Sequence, residues 1–103
     1  MATVPSSPVV EFPASPEGRA ELEAPDRGYL SDVIVRSDDG AAYRVCFYDP
    51  VRLQQTLEDD ASTGRPFFAE SGLIVLPLVT TDAIKKAVSD LWREGFFHSL
   101  KPL

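Results

Sequence analysis

Apolar and polar residues alternate between positions 29 and 48, and this alternation predicts a β-hairpin. The segment is rich in β-branched and aromatic residues, and the Asp-Asp-Gly triplet at 38–40 is a turn signal. A three-residue loop with a left-handed Gly40 sorts apolar from polar side chains better than a two-residue loop. This register collects on one face Ser31, Val33, Val35, Tyr43, Val45 and Phe47. The opposite face is mixed, with Asp32, Ile34, Arg36, Arg44, Cys46 and Tyr48.

Two stretches with helical periodicity follow the hairpin. The first begins at the N-cap Asp49 and ends at Gly64. Its apolar side chains recur every four positions and are Leu53, Leu57 and Ala61. The second begins at Thr80 or Thr81 and ends at Gly95, which suits a left-handed C-cap. Its apolar positions match helical spacing without a gap and are Ile84, Ala87, Val88, Leu91 and Trp92.

The segment between the two helices contains the most apolar run of the chain, at residues 73–79. Such a run predicts a strand covered on both faces, with Pro77 at its end or at an edge. Residues 67–70 and 73–76 form a second hairpin if Ser71-Gly72 is a tight turn; otherwise a loop leads into one strand. A right-handed crossover would make this strand parallel to the one before the first helix.

These elements predict an α+β fold in the order β-β-α-β(β)-α. A small mixed or antiparallel sheet would carry both helices on one face. The single domain is expected to span residues 28–103. Residues 1–27 hold five of the nine prolines and one aromatic residue, Phe12, and are predicted to be a disordered acidic tail. A short strand at 9–12 that pairs with the domain is the alternative.

Composition excludes several classes of protein. The 103 residues carry a net charge of −6, without a cluster of Lys and Arg, so binding to nucleic acid or to an anionic membrane is not expected. No apolar run approaches the length of a membrane-spanning helix. One cysteine and one histidine allow neither an internal disulfide nor an ordinary zinc site. We therefore expect a cytoplasmic protein without a cofactor.

No motif indicates catalysis. The chain lacks nucleotide-binding and metalloprotease signatures, and Cys46 with His98 is its single possible thiol–imidazole pair. Cys46 lies in the middle of a predicted strand, where nucleophiles are rarely presented. We therefore expect that the protein is not an enzyme.

A protein-interaction module, such as an immunity, antitoxin-like or adaptor protein, fits these features best. The acidic turn Glu58, Asp59 and Asp60 stands at the negative end of a helix dipole and suggests docking to a basic partner. The apolar candidates for contact with a partner or with a second copy are Ile34, Tyr48, Phe97 and Leu100. The C-terminal residues Phe97, Leu100 and Leu103 pack either on their own sheet or on that partner. The alternative functions are a small-ligand or sensory domain and a minor dimeric enzyme with its site at the interface.

Overall fold

The computed structural model describes residues 8–15 and 18–103 and shows an α+β protein. The strands are β1 (Val9–Glu11), β2 (Ala14–Ser15), β3 (Gly18–Arg19), β4 (Tyr29–Arg36), β5 (Ala42–Tyr48) and β6 (Leu73–Val75). The helices are α1 (Ala20–Arg27), α2 (Pro50–Ser62) and α3 (Thr81–Glu94), followed by a 3₁₀ turn at Phe96–Ser99. A mixed four-stranded sheet has the order β1-β4-β5-β6, and β2 pairs separately with β3.

The hairpin of β4 and β5 has the register that the sequence predicts. The amide of Ser37 donates to the carbonyl of Ala41 at 2.9 Å across a three-residue loop, and Gly40 has a φ of 90°. Val33 faces Val45, and the neighbouring core positions on both strands are buried. The predicted sorting of apolar side chains onto one face is therefore confirmed for this part of the hairpin.

A β-bulge changes the register near the start of β4. The pairing shifts between Leu30 and Val33, and Asp32 takes a φ of 59°. Because the bulge adds one residue to β4, Leu30 instead of Ser31 lies opposite Phe47 and enters the core. The prediction that Ser31 lies on the core face opposite Phe47 is wrong for this reason.

Helix α2 connects two parallel strands, as the crossover argument predicts. The Oδ1 atom of Asp49 accepts a hydrogen bond from the amide of Arg52 at 2.7 Å, so Asp49 is the N-cap. Strand β6 then pairs parallel to β5. Residues 65–70 form no strand, so the prediction of a second hairpin is wrong. The structure instead has the alternative, a loop that leads into a single strand. That strand is an edge with Val75 exposed, so it is not covered on both faces.

Helix α3 matches its prediction at both ends. The Oγ1 atom of Thr80 accepts from the amide of Ala83 at 3.1 Å. Gly95, with a φ of 81°, donates its amide to the carbonyls of the last helical turn. Ile84 and Val88 on the apolar side are buried against the sheet.

Part of the segment predicted as a tail belongs to the fold. Strand β1 pairs antiparallel with β4, which agrees with the alternative of a short strand at 9–12. Helix α1 follows and places Ala24, with 0% exposure, in the core. The composition of residues 1–27 does not reveal this contribution, because it depends on a small number of apolar residues that face the core. Val10 and Ala24 are two of them. Residues 1–7 and 16–17 of the predicted tail lie outside the described residues.

The core lies on one face of the sheet, between the sheet and helices α1 and α3. Its members are Ala24, Leu30, Val33, Val35, Val45, Phe47, Leu76, Val79, Ile84, Val88 and Phe97. None of the residues of α2 is buried. The expectation that both predicted helices cover one face of the sheet is therefore confirmed for α3 alone, which contributes Ile84 and Val88 to the core.

Replacing Gly72 with alanine is expected to destabilise the protein by at least about 2 kcal/mol. Gly72 has a φ of 75°, and an added Cβ would lie 2.6 Å from the carbonyl oxygen of Arg44. Gly64→Ala is the matched control, because Gly64 also has a positive φ but a Cβ added there would meet no atom within 4 Å. Chemical denaturation measures the loss of stability in each variant, and the difference between the two losses is the cost of the collision alone. Equal losses would contradict a close approach between the residue 72 turn and β5.

Candidate functional site

The acidic turn lies at the exposed end of α2. Glu58 and Asp59 are exposed, and Asp60 is half-buried. Glu58 accepts a hydrogen bond from Gln54 at 3.1 Å. In the described part of the chain, none of these three carboxylates forms an ion pair with a Lys or Arg side chain. Their charges add to the negative end of the helix dipole, so this turn is a concentrated acidic surface.

Helix α2 is attached to the body at its first turn. The amide of Asp49 donates to the carbonyl of Gly28 at 2.7 Å, and the Arg52 guanidinium lies over the Tyr29 ring at 4.5 Å. Further along the helix Leu57 is 41% exposed. The apolar stripe that the sequence predicts for burial is therefore open to solvent in its second half.

Exposed apolar side chains are concentrated in the segment from α2 to the residues after β6. We define the crossover unit as residues 50–78, which include α2, the following loop and β6. Eight large apolar side chains are exposed in the part of the chain that the structure describes. Five of them belong to the crossover unit, and these are Val51, Leu57, Phe67, Val75 and Leu78. The sequence pointed to the acidic turn of this unit but missed its apolar surface, because residues 73–79 resembled a buried strand.

The predicted contact residues Ile34 and Tyr48 lie on the sheet face opposite the core. Both are half-buried. The Tyr48 ring stacks on Tyr29 with centroids 5.8 Å apart and meets the Phe68 ring edge-on at 5.2 Å. Tyr48 is thus partly covered by its own chain, and Ile34 is not part of the crossover unit.

Phe97 and Leu100 pack on their own domain. Phe97 is 1% exposed, and its ring lies between 5.4 and 5.6 Å from those of Tyr43, Trp92 and Phe96. Leu100 is half-buried against the same core. The assignment of Phe97 as a partner-binding residue is therefore wrong for this conformation, because the turn after Gly95 inserts its ring into the core.

Cys46 and His98 do not form a reactive pair in this structure. Cys46 is 3% exposed on β5, whereas His98 is exposed in the 3₁₀ turn. Burial raises the pKa of the Cys46 thiol to about 12, and the nearby Glu70 carboxylate acts in the same direction. The thiol is consequently protonated at neutral pH and is not a thiolate nucleophile.

Because the Cys46 thiol is buried, the free energy of unfolding is expected to change with pH in the alkaline range. The unfolded chain releases the Cys46 proton near its ordinary pKa of 9.0, whereas the folded chain keeps it until about pH 12. The contribution of this thiol to stability is therefore fully present below pH 9 and is lost above it, by about 1.4 kcal/mol per pH unit at most. Denaturation at pH 8 and 10.5 should show a larger loss for the natural protein than for Cys46→Ala. Burial and the Glu70 carboxylate also raise the pKa of Tyr48, so its titration contributes to the slope of both proteins. Equal slopes would contradict the buried neutral thiol.

A pocket lies where β4, β5, the loop before β6 and the C-terminal residues meet. This pocket has a volume of about 290 Å³. Its lining includes four charged side chains, a thiol and a leucine, and these are Asp32, Arg44, Glu70, Lys101, Cys46 and Leu100. The sequence did not indicate it, because the bulge and the loop that bring these residues together leave no periodic pattern.

The remaining functional observations are negative within residues 8–15 and 18–103. No helix there is both long and apolar enough to cross a membrane. No group of three or more potential metal-ligating side chains is present in the same residues. Comparison with models of known protein families, with curated proteins and with solved structures found no match for this chain.

Proposed function

We propose that the protein is a small interaction module that binds a basic protein partner through the crossover unit and has no catalytic activity of its own. The observation that carries this proposal is the exposure of α2: a 13-residue helix without a buried residue. We also propose that the protein is cytoplasmic, since a free cysteine is typical of a reducing compartment.

We expect the surface of another protein to pack against this exposed helix. In proteins most helical stability comes from packing of an amphipathic side, and α2 obtains little of it. A partner that covers Leu57 and Val51 would bury apolar area worth about 25 cal/mol per Å² before the costs of association. The same contact would stabilise α2, so binding and helix order would reinforce each other.

Charge supports a basic partner. The chain has a net charge of −6, and the carboxylates of the acidic turn lack cationic partners in the described structure. Complementary charge increases the rate of association and disfavours acidic competitors. A homodimer through the second sheet face has weaker support, because Tyr29 and Phe68 already cover much of Tyr48.

Site-specific photocrosslinking tests the proposal. A photoreactive amino acid at position 57 is expected to capture one defined basic protein in an extract of the native host. The same amino acid at position 22 is the control, because Leu22 is an exposed leucine on α1 and does not belong to the crossover unit. Equal capture at both positions, or no defined adduct at position 57, would contradict docking through α2.

Neutralising the acidic turn tests its part in binding. A triple variant, Glu58→Gln, Asp59→Asn and Asp60→Asn, should slow association with the captured protein about tenfold at low salt and flatten its salt dependence. Stopped-flow measurements at two ionic strengths provide the rates. Unchanged rates would show that the acidic turn does not meet the partner.

A further inference from the structure

The pocket of about 290 Å³ beside β5 combines two cationic and two anionic side chains. The Nε atom of Arg44 lies 3.6 Å from the Oδ1 atom of Asp32, which is longer than a hydrogen bond. Neither Glu70 nor Lys101 forms an ion pair with any residue of the described structure. The pocket thus holds one loose ion pair and two charged side chains, Glu70 and Lys101, that form no ion pair within the described residues.

The position of Asp32 depends on an unusual backbone. Among the described residues it is the one non-glycine residue with a positive φ, at 59°. Asp32 lies at the bulge, where the register of β4 shifts, and its side chain is part of the pocket lining. Such backbone conformations are enriched at binding and active sites, although Asp tolerates this region better than most residues.

The other side chains of the lining are uncharged. Val45, Leu100 and Leu103 contribute apolar surface, and Cys46 contributes a buried thiol. A pocket with an apolar wall and a few convergent polar groups is the usual form of a small-molecule site. Its volume lies just below the range of roughly 300–1,000 Å³ for such sites, so it suits only a small ligand.

We propose that this pocket binds a free aliphatic α-amino acid as a zwitterion. Arg44 and Lys101 meet its carboxylate, Asp32 and Glu70 meet its ammonium group, and its side chain contacts Leu100. A simple anion or cation would be attracted by one pair of charges and repelled by the other. A zwitterion satisfies both pairs at once, and this separates it from ions of a single charge.

Titration with L-leucine, followed by amide chemical shifts in NMR, tests the proposal. Two probes each lack one charge: 4-methylpentanoate lacks the ammonium group, and 3-methylbutylamine lacks the carboxylate. We expect saturable shifts at Asp32, Arg44 and Glu70 with a Kd on the order of 1 mM, because exposed ion pairs contribute little each. Each single-charge probe should bind at least tenfold more weakly. Absence of saturation by 20 mM, or equal binding of the three probes, would overturn the proposal.

Charge-neutralising variants localise the binding. Arg44→Gln and Glu70→Gln should each weaken leucine binding at least fivefold, whereas Glu94→Gln, at an exposed position on α3, should not change it. All three positions are exposed, so the variants are expected to fold. Leucine binding by the two pocket variants at the natural affinity would overturn the site. Leu57→Glu, outside the pocket, should leave leucine binding unchanged, which separates this proposal from docking through α2.

Discussion

Replacing Ala24 with glutamate is expected to lower the free energy of unfolding by more than about 3 kcal/mol. Ala24 is fully buried between α1 and the sheet, so glutamate would overfill the core and leave a carboxylate without water. Chemical denaturation monitored by circular dichroism measures the loss. The effect is large because the segment before Gly28 contributes to the core, which its proline-rich composition does not suggest.

Leu22→Glu is the matched control for this change. Leu22 lies on the same helix but is 63% exposed, so its replacement should alter stability by less than about 0.5 kcal/mol. If both variants were as stable as the natural protein, α1 would not be docked and the domain would begin after it.

Phe97→Ala should cost about 3–5 kcal/mol, which is the usual range for a buried phenylalanine. The ring fills the space between Tyr43, Trp92 and Phe96, and its loss leaves a cavity in the aromatic part of the core. Near-ultraviolet circular dichroism should weaken as well, because Trp92 and Tyr43 lose a fixed neighbour. Thermal or chemical unfolding provides the energy.

The control for Phe97 is Phe67→Ala. Phe67 is 56% exposed in the crossover unit, and the Arg65 guanidinium lies over its ring at 4.6 Å. Its removal should change stability by less than about 1 kcal/mol. A mild effect at Phe97 would place the C-terminal turn outside the core and restore Phe97 as a candidate contact for a partner.

The sequence predicts most reliably those elements whose local pattern agrees with their tertiary surroundings. Helix α3 has apolar residues at regular helical spacing and a cap at each end, and its expected apolar side is buried. The hairpin register follows from the Asp-Asp-Gly loop, because a slip of one residue would expose Val33 and Val45. The parallel pairing of β6 follows from chain connectivity.

The failures occur where tertiary contacts override local signals. The apolar run at 73–79 resembles a buried strand, yet β6 is a short edge with Val75 exposed. Helix α1 is short and polar, and two small residues, Ala20 and Ala24, pack it against the core. The bulge at Asp32 depends on pairing across the hairpin and has no marker such as glycine, so neither the bulge nor the pocket beside it could be anticipated.

The candidate site shows the same division. The acidic turn at Glu58 and Asp59 is visible in the sequence, because carboxylates at the end of a helix contradict a local preference. The exposure of α2 is not visible there, since an apolar residue at every fourth position predicts a helix that packs on its own domain. Only the tertiary arrangement separates Leu57, which is exposed, from Val88, which is buried.

The affinity of the Leu57→Glu variant for the captured partner tests the central claim most directly. Isothermal titration calorimetry at one fixed salt concentration should compare this variant with the natural protein and with Leu22→Glu. We predict that Leu57→Glu weakens binding at least tenfold with an unchanged melting temperature, while Leu22→Glu binds normally, because Leu57 is an exposed contact and not a core residue. Natural affinity for Leu57→Glu, or a fall in its melting temperature that accounts for the loss, would contradict docking through α2.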